Sequence, residues 1–537
     1  MRSHGTATDP GQNSANRIRN SLPPPRAGAQ RRGASWGRGT SWGHAIRGLW
    51  AVVGALVLGM VMLGGSASAA SYNHATDAGS MYNITQTIGA QAYWQRGLTG
   101  KGVDVAVIDS GASPVPGLDA PGKVVHGPDL SFESQAPTLR NLDTYGHGTF
   151  IAGIIAGRGS GAVAGKYAGD KTNFLGVAPD ARILSLKVAS SDGATDVSQV
   201  IAAIDWVVQH KNDNGMNIRV LNLSFGTDST QDYRVDPLAF AVEKAWNAGI
   251  FVVAATGNEG FVRRTGSLTN PAIDPLILAV GAADTHGTQG YGDDTVATFS
   301  STGSWSRPVD ILAPGAHIVS LRDPGSYIDK HYGSTGYVTS TLFRGSGTSE
   351  SAAMVSGAAA LIIQQHPEIT PDTLKHLLLG NGEALEHAAS TAQGRGEINL
   401  RRTLNARVVP HRQFVQPSTG GGSLDAARGS VRVSKDGSEL RGEEDVFGHS
   451  FDSKAVADAE EHGGSWSEGD WNGNSWSGSS WSGSSWSGNS WSGSSWSGNS
   501  WSGSSWSGSS WSGSSWSGSS WSGSSWSGSS WSGSSWS

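Results

Sequence analysis

Three short motifs in a fixed order constrain this chain more than anything else in it. They are Val105-Ala106-Val107-Ile108-Asp109-Ser110-Gly111, Tyr145-Gly146-His147-Gly148-Thr149 and Gly345-Ser346-Gly347-Thr348-Ser349-Glu350-Ser351-Ala352. Residues 104–108 alternate and then run apolar, with β-branched residues, the pattern of a buried parallel strand. Asp109 then stands at the carboxyl end, where open α/β sheets place their sites. Residues 150–156 suit a short buried helix with His147 at its start. Residues 352–363 form an Ala-rich run that reads as another buried helix, opened by Ser349. A helix start exposes a hydroxyl in a field that favours developing negative charge. Between the second and third motifs, residues 251–256 read as a further buried strand, with Gly257-Asn258-Glu259-Gly260 as its exit turn.

Taken singly, each motif has a plainer meaning. Asp109 would cap a turn, His147 would sit in a surface turn, Ser349 would be an N-cap, and Asn258 would occupy a left-handed turn position. Taken together, in one order and each with its glycines, they assemble an orienting acid, a base, an amide donor and a nucleophile, the parts of an acyl-transfer site. An imidazole base implies activity that rises with pH through about 6.5–7.

Composition bounds the rest. Of 537 residues, only 85–405 read as one globular α/β domain, long enough to bury a large core. The chain has no Cys, which excludes a disulfide scaffold, Cys-ligated zinc and a Cys nucleophile. Residues 1–70 carry eight Arg and one Asp, whereas the remainder has 30 Lys and Arg against 43 Asp and Glu. A net acidic body argues against nucleic acid as a partner.

Within 1–70, the 15-residue apolar run 49–63 follows Arg47 and precedes Gly64-Gly65-Ser66-Ala67-Ser68-Ala69-Ala70. That order reads as a signal segment cut after Ala69 or Ala70, hence a secreted or wall-associated protein, with an uncleaved membrane anchor as the alternative. Residues 71–84 read as a short lead and 406–463 as a polar, acidic linker. In 464–537, Trp recurs fifteen times at every fifth position of a Trp-Ser-Gly-Ser-Ser unit. A period of five gathers the indoles on one face of neither a helix nor a strand, so disorder is the expectation, with a five-residue solenoid as the ordered alternative. Cell-wall glycan and tail self-association are the candidate partners of the repeat.

The motifs also carry a resemblance. With Gly100-Lys101-Gly102-Val103-Asp104, Gly176-Val177-Ala178-Pro179, Leu221-Asn222-Leu223-Ser224-Phe225-Gly226 and Ala313-Pro314-Gly315, residues 85–403 resemble the subtilisin-like (subtilase, S8) serine peptidases. The resemblance implies a three-layer α/β/α sandwich with a mainly parallel sheet, and a secreted endopeptidase acting on protein or peptide substrates. It implies Asp109, His147 and Ser349 as the triad, Asn258 as the oxyanion amide, and Ser224, Phe225 and Gly226 as the strand that pairs with substrate. The chemistry needs no cofactor. Many relatives bind structural calcium, and Asp170 and Asn173, in the Gly-rich insertion 158–174, are candidate oxygen donors, with a plain surface loop as the simpler reading.

The chain departs from the family at Glu350 and its neighbours, where Met-Ala-x-Pro-His is usual. It also departs in the short stretch before residue 85, where secreted relatives carry a propeptide. A rival from another class is a surface-binding or display protein with a silent peptidase fold and a Trp-rich attachment tail.

Overall fold

The computed structural model describes residues 72–134, 136, 138–260, 268–430, 432–435, 438–446 and 449–462, with the backbone of four stretches between 475 and 532. The proposed signal segment lies outside the described residues. Among those described, no helix is long and apolar enough to cross a membrane.

Eight strands form the central sheet: β1 (Asp104–Asp109), β2 (Val124–Asp129), β3 (Arg182–Lys187), β4 (Ile218–Leu223), β5 (Phe251–Ala255), β6 (Leu278–Asp284), β7 (Thr295–Val296) and β8 (Ile311–Pro314). Their order is β2-β3-β1-β4-β5-β6-β7, with β8 also paired to β6. All pairs are parallel except β6 with β7. The residues of β1 and β5 are buried throughout, as strands covered on both faces require.

Two helices lie together on one face, His147–Ala156 and Thr348–Gln365. The second, the serine helix, packs on β4, β5, β6 and β8, and every residue from Thr348 to Ile363 is buried. Its alanines let it seat this closely against the sheet. Helices Val197–His210 and Pro237–Asn247 pack on each other and on β1 and β5. The first opens with a capping box of Asp196 and Gln199. The second has Asp236 as N-cap and Pro237 in its first turn.

Packed residues lie on both sides of the stretch 85–405. Residues 72–84 are more than a lead: Ser80 bridges to Val319, and Asp77 pairs with Arg344 at 2.6 Å. Residues 406–462 do not behave as a linker. Leu424, Ala427, Val433, Leu440, Val446 and Phe451 are buried, and Arg428 is among the most deeply buried large side chains. Polar contacts fasten much of this segment, so no hydrophobic period announces it.

In the repeat region, Ser475–Ser477, Ser485–Ser492, Ser495–Ser512 and Ser515–Ser532 are extended strands paired in parallel. The register sets Trp496 opposite Trp516 and Ser500 opposite Ser520. An offset of whole repeat units sets Trp on Trp and Gly on Gly along these strands.

The C-terminal segment also closes over a buried carboxyl pair. Ser418 N–H donates to Glu243 Oε1 at 2.9 Å, and the Asp274 carboxylate, wholly buried, lies close enough to Glu243 to act on its charge. Two buried carboxylates this close repel each other, which favours a proton on one of them. Burial, then the charge of Asp274, pushes Glu243 up to about 8. A raised carboxyl pKa stabilises the fold fully below the ordinary value near 4.5 and loses that contribution as pH climbs through the raised one. Thermal melts from about pH 5 to 9 should therefore show a loss of Tm that Glu243→Gln makes shallower, because an amide does not titrate. Parallel Tm curves for the two proteins would refute the retained proton.

Candidate active site

The exit of β1 and the start of the histidine helix meet main chain to main chain. Gly111 has φ +115°, and a Cβ on Gly148 would collide with the Gly111 carbonyl. That approach brings His147 Nδ1 to 2.8 Å from Asp109 Oδ1, with side chains 26% and 6% exposed. Asp109 Oδ1 also accepts from Ser110 N–H at 2.8 Å. Because Oδ1 is an acceptor, Nδ1 carries the hydrogen, and in the neutral ring Nε2 has the lone pair. Nε2 has no hydrogen-bond partner among the described residues.

A residue that the motif reading overlooked supports this pair. Asp143, 2% exposed, accepts from Ser110 Oγ at 2.7 Å, Gly146 N–H at 2.6 Å and Thr149 N–H at 2.6 Å. It thus caps the histidine helix and ties it to the β1 exit at once. Its signal was there in the sequence, an acid just before a helix start, but it was masked by the more conspicuous His147.

Ser349 occupies the first turn of the serine helix, whose N-cap Gly347 supplies no side-chain bond. The N–H groups of such a turn are left without intrahelical partners. Ser349 Oγ donates to Ser224 O at 2.8 Å, not to His147. Ser224 Oγ in turn donates to Ser349 O at 3.1 Å. Catalytic hydrogen bonds are commonly unformed before substrate arrives.

Asn258 lies at the exit of β5, as expected. Its Oδ1 accepts from Thr348 N–H at 2.9 Å and from Thr348 Oγ1 at 3.1 Å. Two donors on one atom assign it as oxygen and leave Nδ2 free to donate. A Cβ placed on Gly347 would be 3.3 Å from that Nδ2, which puts the amide beside the start of the serine helix. Phe225 and Gly226 follow Ser224 at the end of β4, and their main-chain groups have no main-chain partner among the described residues.

Glu350 is 6% exposed and does not point away from the site. A Cβ on Gly345 or Gly347 would come within 2.6 and 2.7 Å of its two carboxylate oxygens. Burial raises the Glu350 pKa, and the facing His147 opposes the rise. At His147, burial disfavours the charge. The Asp109 carboxylate against Nδ1 outweighs it, Glu350 and Asp143 add to it, and the pKa rises to about 9.

The calcium candidates do not fit a cation cradle. Asp170 Oδ1 accepts from Thr172 N–H, Thr172 Oγ1 and Asn173 N–H, and Oδ2 takes Asn173 Nδ2 at 2.9 Å. Asn173 thus offers its amide nitrogen, not an oxygen, to the shared space. Among the described residues no group of three or more His, Asp or Glu is placed to hold a metal ion.

The Subtilase family model matches residues 100–396 of this chain. Serine protease AprX of Bacillus subtilis (strain 168) is 38% identical over 313 residues, 57% of this chain and 67% of that protein. Subtilisin Savinase of Lederbergia lenta is 33% identical over 311 residues, 58% of this chain and 91% of that protein. Subtilisin of Bacillus pumilus is 33% identical over 322 residues, 59% and 96% respectively. Matched by the family model over more than half its length, the chain belongs to the subtilase family and is a subtilisin-like serine peptidase.

Proposed function

We propose that this protein is a secreted endopeptidase whose acyl-transfer site is built from Asp109, His147, Ser349 and Asn258. The observation that carries this reading is the 2.8 Å Asp109–His147 contact at the carboxyl edge of the sheet, beside the first turn of the helix that bears Ser349. Substrate adds as an extended strand along Ser224, Phe225 and Gly226, where main-chain groups are available. Ser349 Oγ leaves Ser224 O and attacks the scissile carbonyl, and His147 Nε2 takes its proton. Asn258 Nδ2 and the Ser349 N–H stabilise the oxyanion. Collapse to the acyl-enzyme passes the proton from His147 to the leaving amine, and water then reverses the sequence. Asp109 holds the tautomer and stabilises the imidazolium.

Labelling of the purified protein with a fluorophosphonate tests this directly and separates it from a silent display protein. The expected result is stoichiometric label on wild type and none on Ser349→Ala. The alanine variant should keep its fold and less than about 1% of kcat, since loss of a triad member typically removes 10⁴-fold or more. A larger residual rate would overturn the assignment.

The raised His147 pKa moves the working range upward. The imidazole is a base only when neutral, so kcat/KM should climb through about 9, above the 6.5–7 of an unperturbed ring. Glu350→Gln removes one of the negative charges that hold the proton and should shift this limb to lower pH. A kcat/KM profile from about pH 6 to 11 checks both statements, and a limb that stays in place in the variant would uncouple Glu350 from His147.

For the repeat, we propose attachment to cell-wall glycan. Indoles stack on sugar rings, and many weak contacts on one chain multiply into avidity. A chain ending at residue 463 should hydrolyse a small peptide normally and bind wall fragments far less than the full chain does. Equal wall binding by both would leave the repeat without this role, and self-association is then read from sedimentation of the full chain.

A further inference from the structure

The topology places two loops on either side of Asp109. In the order β3-β1-β4, the strand bearing Asp109 is flanked by β3 and β4. The exit of β3 is the loop 188–195. The exit of β4 is Ser224–Gly226, the proposed substrate-pairing segment. The near ends of both loops are fixed beside the site. Val188 N–H donates to Asp109 O at 2.8 Å, Ser191 N–H to Glu133 Oε1 at 3.0 Å, and Ser224 is bonded to Ser349.

Further along, both are tied to one short stretch of the C-terminal segment, and Thr227 also pairs main chain to main chain with Asn270. Thr227, next after Gly226, donates its hydroxyl to Ala427 O at 2.6 Å. Asp228 accepts from Ser430 N–H and Ser430 Oγ, each at 2.6 Å. Gly429, with φ +65°, packs so closely on Asp228 that a Cβ there would collide with its carboxylate. Between these contacts, Arg428 turns the other way. Its Nε donates to Asp196 Oδ2 at 2.6 Å and its Nη2 to Oδ1 at 3.3 Å, and both side chains are 1% exposed. Arg428 Nη1 also donates to Gly442 O at 2.7 Å, and Nη2 to Glu444 O. Asp196 is the residue at which loop 188–195 ends and the Val197–His210 helix begins. Val446 N–H, further along the segment, donates to Ser198 Oγ at 3.1 Å.

We propose that residues 424–446 form a bracket joining the far ends of the two loops that flank Asp109, and that Arg428 is its positioning residue. This role rests on substrate pairing along Ser224–Gly226, as proposed for the site. The bracket sets the distance between the β3 and β4 exits, and so the width available to an extended peptide lying between them. Its ligand class is therefore a peptide long enough to pair along Ser224–Gly226, not a small ester or anilide that reaches Ser349 alone. A forked guanidinium bonded to both oxygens of a buried carboxylate fixes angle as well as distance, which a lysine ammonium cannot do. Loosening the bracket costs binding of the long substrate in its ground and transition states alike, so the loss appears in KM.

The test compares wild type with Arg428→Gln, Arg428→Lys and Thr227→Val. Each is assayed on a tetrapeptide anilide and on a single-residue anilide, together with the rate of fluorophosphonate labelling. In Arg428→Gln the tetrapeptide KM should rise by about tenfold, while the labelling rate and the single-residue kcat/KM change by less than about twofold. Arg428→Lys should recover part of the loss, and Thr227→Val should show a smaller loss of the same kind. Should Arg428→Gln fail to fold, because Asp196 is left buried without its partner, the Lys and Val variants carry the comparison. Equal changes on long and short substrates, or no change on either, would overturn the bracket. A wild type that takes no fluorophosphonate would instead overturn the assignment of Ser349, a distinct outcome.

Discussion

The site depends on one close approach, that of the Gly148 main chain to the Gly111 carbonyl. A side chain at residue 148 would push the histidine helix off the exit of β1, and His147 could no longer reach Asp109. The contact is not left to van der Waals packing alone. Gly148 N–H donates to Ser110 Oγ at 2.9 Å, Ser113 N–H donates to Thr149 Oγ1 at 3.0 Å, and Asp143 joins Ser110 to both Gly146 and Thr149. A strand end and a helix start are thereby locked into one unit. The 2.8 Å Asp109–His147 contact is a consequence of that unit, not its cause.

Buried charge follows the same edge of the sheet. Lys187, at the end of β3, is 0% exposed on its side chain and pairs with Glu133 at 3.0 Å, while its Nζ also donates to Ser110 O at 2.8 Å. Arg428 and Asp196 form a second fully buried pair on the far side of the loop that leaves β3. Such pairs are poor sources of net stability, because desolvation offsets most of the attraction, yet removing one partner costs about 3–5 kcal/mol. What they supply is a single geometry. Both act on the chain segments around Asp109, where a shift of about 1 Å would matter most to the proposed chemistry.

The legible part of the sequence was the part whose chemistry demands particular residue types next to glycine. Asp109, His147 and Ser349 stand at the element boundaries that their motifs suggested, and β1, β5 and the serine helix are read directly from continuous apolar runs. Glu350 was harder, since helical geometry turns it about 100° from Ser349, and only the fold of Gly345–Gly347 around it brings its carboxyl back toward the site. Asp143 was eclipsed by its neighbour. The stretch 406–462 was illegible for a different reason. Its apolar residues, Leu424, Val433, Leu440, Val446 and Phe451, follow neither a helical nor a strand period. Its decisive contacts are an arginine, a serine and main-chain carbonyls that bond to residues some 200 positions earlier. Long-range polar complementarity leaves no local trace in a sequence.

Ser224 connects these features. It exchanges hydrogen bonds with Ser349 in both directions, and its hydroxyl accepts from Asn222 Nδ2, whose Oδ1 receives Ser356 Oγ from the same helix. The end of β4 and the first turns of the serine helix are therefore one rigid piece. On the proposed roles, the segment that receives the substrate and the residue that attacks it cannot drift relative to each other. The nucleophile keeps a single internal freedom, rotation about its Cα–Cβ bond. Turning Oγ from Ser224 O toward His147 Nε2 exchanges one hydrogen bond for another, so the step loses little energy. The orientation that favours reaction has then been fixed largely by folding, through strand pairing and helix packing, before any substrate arrives.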